Sequence, residues 1–370
     1  MITVVGVGAD GWEGLTSAAQ QAISSATLVI GAPRQLALVP VDGLPWTKLA
    51  ELHALLDEHP DCVVLASGDP MHFGLGATLA DRPDVTVIPS VSSISLACTR
   101  LRWAQQDVRV VSLVGRAASL GPLQDGERLL VLSADASGPA MVADLLAAQG
   151  FSASTVTVLS DLGGPDEHVG EPASPLNIVA VECRGPGLPL VPGLPEAAFD
   201  HDGQITKREV RAVVLSLLGP RKGQLLWDVG AGTGSVAVEW ARAGGAAVAV
   251  ERDPAKCARV ARNAAALGVL VDVREGEAPD VLSALTSPDA VFIGGGLTSP
   301  GLLDACWDAV APGGRLAATA VTLESEAVLL AWQAKHGGDV LRLSVQRTAP
   351  VGSFTGWKPM TTVTVWSVTR

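Results

Sequence analysis

The sequence predicts a two-domain α/β protein, with a first half folded in two lobes and a second half built on one open, mostly parallel sheet of seven strands. Three observations carry this reading. Short β-rich runs alternate with Ala-rich helical stretches along both halves of the chain. Midway, the stretch CRGPGLPLVPGLPEAAFDHDG at 183–203 mixes Pro and Gly with aliphatics and loses every period, which sets a linker near 185–195 and domains at 1–188 and 189–370. Two glycine loops, VVGVGADG from Val4 and LLWDVGAGTG from Leu225, each follow a strand-like run. A length of 370 residues gives each domain enough chain to bury its own core.

Composition narrows the chemistry. With 48% hydrophobic and 17% charged residues the chain reads as globular, and no apolar run approaches the roughly 18 residues that a membrane helix needs. The N-terminus enters a strand directly, without a basic region or a small-residue cleavage site, so the expectation is a cytoplasmic protein with no membrane association. The five cysteines are scattered without a C-x-x-C pair, which predicts reduced thiols in the core. A formal charge of −12 repels nucleic acid. The chain has no Tyr to act as an acid or base, and its six histidines show no ligand spacing, so no metal site is expected.

In the first half, residues 2–7, 28–30, 63–66 and 85–88 read as parallel strands. A second set at 110–114, 128–132, 155–159 and 178–182, with a helix at 138–148, forms the second lobe. In the second half the strands are expected at 225–229, 247–250, 269–273, 290–293, 315–319, 340–345 and 362–368. The helix between the second and third of these has Asp253 to cap it, Pro254 at its first position and Gly268 to end it. The last two strands have no helix between them, only QRTAPVGSFTGWKPMT, and so can pair antiparallel.

Neither glycine loop suits a dinucleotide. Gly6-x-Gly8-x-x-Gly11 has the spacing, but the strand that should end in an acidic residue reads TLVIGAPRQL. Gly230, Gly232 and Gly234 lack the spacing but have the acid, since Glu251 ends the next strand in AVAVERDP, placed to accept both ribose hydroxyls of an adenosine. A pyrophosphate wants backbone N–H groups spread along it. S-adenosylmethionine has no phosphate, and a compact turn serves its methionine tail.

DVGAGTGSVAVEWA, AVERDP, REGEAPDVL, DAVFIGGG and PGGRLAATAVTLESE resemble the Rossmann-like class I S-adenosylmethionine methyltransferases, and specifically the decarboxylating cobalt-precorrin C-15 enzymes, over residues 194–370. The resemblance implies that Thr206, in the entry segment DGQITKREVRA, contacts the cofactor. Gly230, Ala231, Gly232, Thr233 and Gly234 would hold the methionyl end, Glu251 the ribose and Ala278 the adenine, with Glu277 and Gly294 also in the site.

VVGVGADG, IGAPRQL, LASGDPMHFG and VIPSVSSISLA resemble a different family, the tetrapyrrole methylases, over about residues 1–185. This implies a two-lobed fold with a cofactor lined by Gly8, by the turn Gly68-Asp69-Pro70, by Ser92 and Ser93 in the serine-rich loop, and by Asn177 in SPLNIVAVE. Relatives with a G-x-G-P-G first loop have Pro and Gly where this chain has Ala9 and Asp10, which leaves the shape of that loop open. The pairing of the two halves resembles the fused precorrin C5,15-methyltransferases (decarboxylating) of corrin-ring synthesis. It implies one S-adenosylmethionine per domain, C-5 methylation by the first, and C-15 methylation with decarboxylation by the second. An alternative leaves only the second half catalytic, with the first a tetrapyrrole-binding, oligomerising module. A homo-oligomer is expected, a tetramer by preference.

Methylation of an enamine-like ring carbon needs alignment and electrostatics rather than a covalent nucleophile. Decarboxylation needs a desolvated carboxylate and a proton donor or acceptor. Glu324 in TLESE is a catalytic candidate or a helix-start carboxylate, and Asp69 is a cofactor-site residue or a turn former before Pro70. His72 is a proton donor to substrate or a packed loop residue. Lys207, Arg208, Arg211, Arg347 and Lys358 are a basic lining for a polycarboxylate ring, or ordinary surface cations. The run Gly294-Gly295-Gly296 marks close backbone approach to a ligand or a bare turn.

Overall fold

A computed structural model describes residues 1–370, which divide into two compact units. One comprises Met1–Ala118, Asp125–Leu146 and Phe151–Gly185, the other Ser119–Gln124, Ala147–Gly150 and Pro186–Arg370.

The first unit holds two five-stranded sheets. β1 (Ile2–Val7), β2 (Val29–Gly31), β3 (Leu44–Pro45), β4 (Cys62–Ser67) and β5 (Val85–Ile88) lie in the order β3-β2-β4-β1-β5, all parallel. β1 and β4 are continuous apolar runs because helices cover both faces of a parallel sheet, and the buried Ile2, Val4, Val5, Val64 and Leu65 are its core. The second sheet contains β6 (Val108–Ser112), β7 (Arg128–Leu132), β8 (Thr155–Ser160), β9 (His168–Val169) and β10 (Asn177–Glu182) in the order β6-β7-β10-β8-β9. Only β6 and β7 run parallel there. The sequence reading places the four longer strands of each sheet. It misses β3 and β9, two residues each, which are too short to show a period.

The second unit is built on seven strands. They are β11 (Leu225–Val229), β12 (Ala246–Glu251), β13 (Asp272–Glu275), β14 (Ala290–Ile293), β15 (Arg315–Ala320), β16 (Asp339–Leu343) and, at the C-terminus, Val363–Thr369. Between the last two lies a ribbon, β17 (Gln346–Val351) and β18 (Phe354–Pro359), so that Val363–Thr369 becomes β19. The order is β13-β12-β11-β14-β15-β19-β16, parallel through β15, with β19 antiparallel to both neighbours. The antiparallel partnership of β16 and β19 matches expectation. The ribbon does not, because its Gly and Pro residues break the alternation by which strands are recognised.

β13 begins three residues later than expected. Val269 donates its N–H to Ala264 O at 3.0 Å and closes the helix Pro254–Ala266, so it is spent on the helix end rather than on the ladder. That helix starts as predicted, with Asp253 accepting from Ala255 N at 2.9 Å and Pro254 in its first turn.

Trp227, Trp240 and Trp366 are fully buried, and each satisfies its indole N–H on a carbonyl, of Thr286, Gln224 and Gly337 respectively. All five cysteines are free and buried; burial pushes the Cys183 thiol up to about 11 and that of Cys306 to about 12. No helix is long and apolar enough to cross a membrane.

Candidate active sites

In the second unit the C-terminal ends of β11, β12 and β14 border a cavity of about 970 Å³. Open α/β sheets bind ligands at this edge. The glycine turn after β11 has φ of +71° at Gly230, +59° at Gly232 and +72° at Gly234, a region that side chains disfavour. The three glycines do different work. A Cβ on Gly230 would come within 2.9 Å of the Gly295 backbone, so this glycine lets the two loops touch. A Cβ on Gly234 would meet Val260 at 2.6 Å, and Gly234 is a packing residue that does not line the cavity. A Cβ on Gly232 would meet nothing within 4 Å and would stand in the cavity itself.

Glu251, at the end of β12, lines the same cavity and is nearly buried. Its carboxylate accepts from the N–H groups of Gly232 at 2.9 Å, Arg252 at 3.0 Å and Asp253 at 3.1 Å, which holds it against the glycine turn. Thr206, Lys207, Ala231, Thr233, Glu277, Ala278 and Gly294 are also brought to the lining, as are Arg347 on β17 and Lys358 on β18.

Asp228 was not singled out from the sequence, although a carboxylate inside the apolar run LLWDV was a visible signal. It is the penultimate residue of β11, fully buried at the cavity wall; one oxygen accepts from Ala237 N at 2.9 Å and the other has no partner. Burial pushes its pKa up to about 7, the Ala237 hydrogen bond opposing and the Glu251 charge adding. An orphaned buried acceptor beside a second carboxylate suits a ligand that carries cationic groups and hydroxyl donors, as S-adenosylmethionine does.

Besides Gly234, three sequence assignments are corrected. Arg211 does not reach the cavity. Its guanidinium is wholly buried, paired with Glu239 at 2.6 Å and donating to the carbonyls of Thr206 and Leu194, so no substrate carboxylate can approach it. Glu324 stands in the exposed first turn of the helix Leu323–His336, outside the cavity lining, where the helix dipole accounts for a carboxylate. Arg208 also opens a helix outside the lining.

Arg347 lines the cavity but is already engaged, reaching Glu196 at 2.7 Å and Glu209 at 2.6 Å. Burial alone would raise the Glu196 carboxyl, but the hydrogen bonds from Arg347 and from backbone N–H groups outweigh it and hold the group at about 2. Lys358 stands opposite Arg347 in the ribbon register.

The first unit has its own cavity, of about 740 Å³, at the C-terminal ends of β1 and β4. Gly8, Gly68, Asp69, His72, Ser92, Ser93 and Asn177 all line it. The GDP turn crosses the end of β1: Gly68 N donates to Val7 O at 2.8 Å, and a Cβ on Gly6 would lie 2.3 Å from Gly68 O. Asp69 accepts from Met71 N at 2.9 Å and so forms the turn while also facing the cavity. Ser92 caps the helix Ser93–Leu101 through Ser95 N. In the first loop Asp10 folds back over Gly8 and Gly14, and Gly11 N closes on Gly8 O at 3.1 Å.

Four lining atoms in this cavity are buried without a partner: Gln35 Oε1, Ser133 Oγ, Asn177 Oδ1 and the indole donor Trp46 Nε1. Asn177 is oriented by its amide, which donates to Asp135 O at 2.9 Å and Ser174 O at 2.8 Å, leaving its carbonyl for a ligand. Gln35 and Ser133 carry no local pattern that marks them in the sequence.

Comparison with known proteins places these cavities in context. Residues 197–370 match the precorrin methyltransferase domain family, and residues 1–174 match the tetrapyrrole (corrin/porphyrin) methylases. Over 100% of its length the chain is 44% identical to a precorrin-6Y C(5,15)-methyltransferase (decarboxylating) from Sinorhizobium sp., of which it covers 96%. A probable cobalt-precorrin-6B C(15)-methyltransferase (decarboxylating) from Saccharolobus solfataricus is 35% identical over 37% of this chain and 73% of its own length. A cobalt-precorrin-7 C(5)-methyltransferase from Salmonella typhimurium is 30% identical over 46% of this chain and 89% of its own.

Proposed function

We propose, from the premise that this chain belongs to the precorrin-6Y C(5,15)-methyltransferases (decarboxylating), that each unit binds its own S-adenosylmethionine and performs its own part of the reaction on a precorrin. The second unit is assigned C-15 methylation and loss of carbon dioxide from the ring acetate, the first unit C-5 methylation. The observation that carries this is that each unit has a roomy cavity at the C-terminal edge of a parallel sheet, fronted by a glycine loop and containing buried acceptors without partners. The two single-reaction relatives, named for C(15) with decarboxylation and for C(5), support the division.

When bound, S-adenosylmethionine supplies an electrophilic methyl group on a sulfonium. In the second unit, Gly232 leaves room against the turn, Glu251 receives the ribose and Asp228 faces the cationic groups, while Glu277 and Ala278 border the adenine. Lys207 and Lys358 form no ion pair and face the cavity, so they meet the carboxylates of the ring. As carbon dioxide leaves, its bond electrons pass into the conjugated ring and a proton returns to carbon; the protein's part is to exclude water from the departing carboxylate. In the first unit Asn177, Ser133 and Gln35 supply acceptors in the interior, with Asp69 and the Ser92–Ser93 loop around them.

Calorimetric titration with S-adenosylmethionine tests the assignment. Two equivalents per chain are expected, one lost in Glu251→Ala and the other in Asn177→Leu. A single equivalent, insensitive to Asn177→Leu, would make the first unit a binding module for the ring alone. The chain is further proposed to assemble as a homo-oligomer, a tetramer by preference, supported by the exposure of Phe354 and Trp357 on the ribbon. A light-scattering mass of one chain would refute this.

A further inference from the structure

We propose that Phe73, flanked by His72 and Arg116, is the platform on which the macrocycle lies in the first unit's cavity. This makes it a specificity-determining residue for the C-5 methylation. The inference rests on the reading that the first unit handles a precorrin.

Phe73 follows the GDP turn with a φ of +56°, a left-handed conformation that a bulky residue adopts at a cost and Gly adopts freely. Packing does not repay that cost, since Phe73 is 43% exposed. What the conformation achieves is presentation. The ring lines the cavity, the imidazole of His72 stacks on it at 5.3 Å and 23°, and the Arg116 guanidinium lies 5.0 Å from its centroid. Val91 and Val114 line the same cavity and are 61% and 51% exposed, so its mouth is apolar with a cation beside it.

A flat conjugated ring edged with carboxylates matches this arrangement: its face stacks on the aromatic pair and a side-chain carboxylate meets Arg116. The adenine of the methyl donor is the competing occupant of an aromatic face. The buried acceptors Gln35 Oε1, Ser133 Oγ and Asn177 Oδ1 favour the interior for the donor, which leaves the exposed mouth to the ring.

Phe73→Gly separates this role from folding, because Gly relieves the left-handed strain as it removes the ring. The expected result is a melting temperature no lower than wild type and unchanged donor stoichiometry. The KM of the C-5 step should rise tenfold or more, with the C-15 and decarboxylation step unaltered as an internal control. Phe73→Trp should restore most of the C-5 step, and Arg116→Gln should raise its KM alone. A C-5 KM within twofold of wild type in Phe73→Gly, or loss of a donor equivalent, would overturn the proposal. If the wild-type chain adds only one methyl, the assignment of the first unit fails instead. The platform is then read from ring binding by absorbance titration: weakened binding in Phe73→Gly supports it and unchanged binding refutes it.

Discussion

Arg211 and Glu239 form an ion pair 2.6 Å long from which water is almost completely excluded. Glu239 also accepts from the N–H groups of Gly193 and Leu194, and Arg211 donates to the carbonyls of Leu194 and Thr206. The pair thus pins both ends of the segment that carries Thr206 to the cavity. Removing one partner leaves a buried charge uncompensated, so Arg211→Met should cost about 3–5 kcal/mol in urea denaturation. The double variant Arg211→Met with Glu239→Leu should cost less than the single one, because no charge is stranded.

Two glycines two residues apart should fail differently. Gly234→Ala meets Val260 and should lower stability, with donor binding falling only as the fold loosens. Gly232→Ala places its methyl in the open cavity and should cost only about 1–2 kcal/mol of backbone strain. Its donor affinity, measured by calorimetry, should drop at least tenfold.

Asp228 predicts a pH signature with a definite sign. Its carboxyl is held at about 7 by burial, above the ordinary value, so the folded protein binds the extra proton. Its contribution therefore favours folding at low pH and is lost as pH rises through about 7. Asp228→Asn should flatten that part of the pH–stability curve. Because a cationic ligand favours the ionised carboxylate, wild-type donor affinity should gain on that of Asp228→Asn as pH rises from 6 to 8.

Arg347 joins the ribbon to the carboxylates of Glu196 and Glu209. Glu196 is held at about 2, below its ordinary value, so its contribution is full above the ordinary carboxylate range and is lost as pH falls through about 2. Arg347 is partly exposed, so Arg347→Met should cost ~1 kcal/mol or less in stability. The clearer readout is faster amide exchange across Gln346–Val351 and Phe354–Pro359.

The parts of the fold legible in the sequence were those set by local rules. Buried parallel strands are apolar throughout, Asp253 and Pro254 announce a helix, and glycines at positive φ mark the turns that front the cavities. What was hidden depended on tertiary context. A lone cation near a predicted site looks the same in sequence whether it lines the cavity, as Lys358 does, or pairs in the core, as Arg211 does. Glu324 had the chemistry of a catalytic carboxylate, but the helix start carried it outside the cavity lining. Gln35 and Ser133 become site residues only because folding buries their oxygens without partners at one cavity wall. The ribbon of β17 and β18 escaped notice because its Gly and Pro content hides a strand period.

The most direct test of two catalytic units in one chain is the product mass after incubation of the purified protein with precorrin-6B and S-adenosylmethionine. The account predicts a gain of two methyl groups and the loss of one carbon dioxide, with Asp69→Ala stopping after one methyl and decarboxylation, and Glu251→Ala abolishing decarboxylation. A wild-type product that carries one new methyl and lacks carbon dioxide would contradict it, leaving catalysis to the second unit alone.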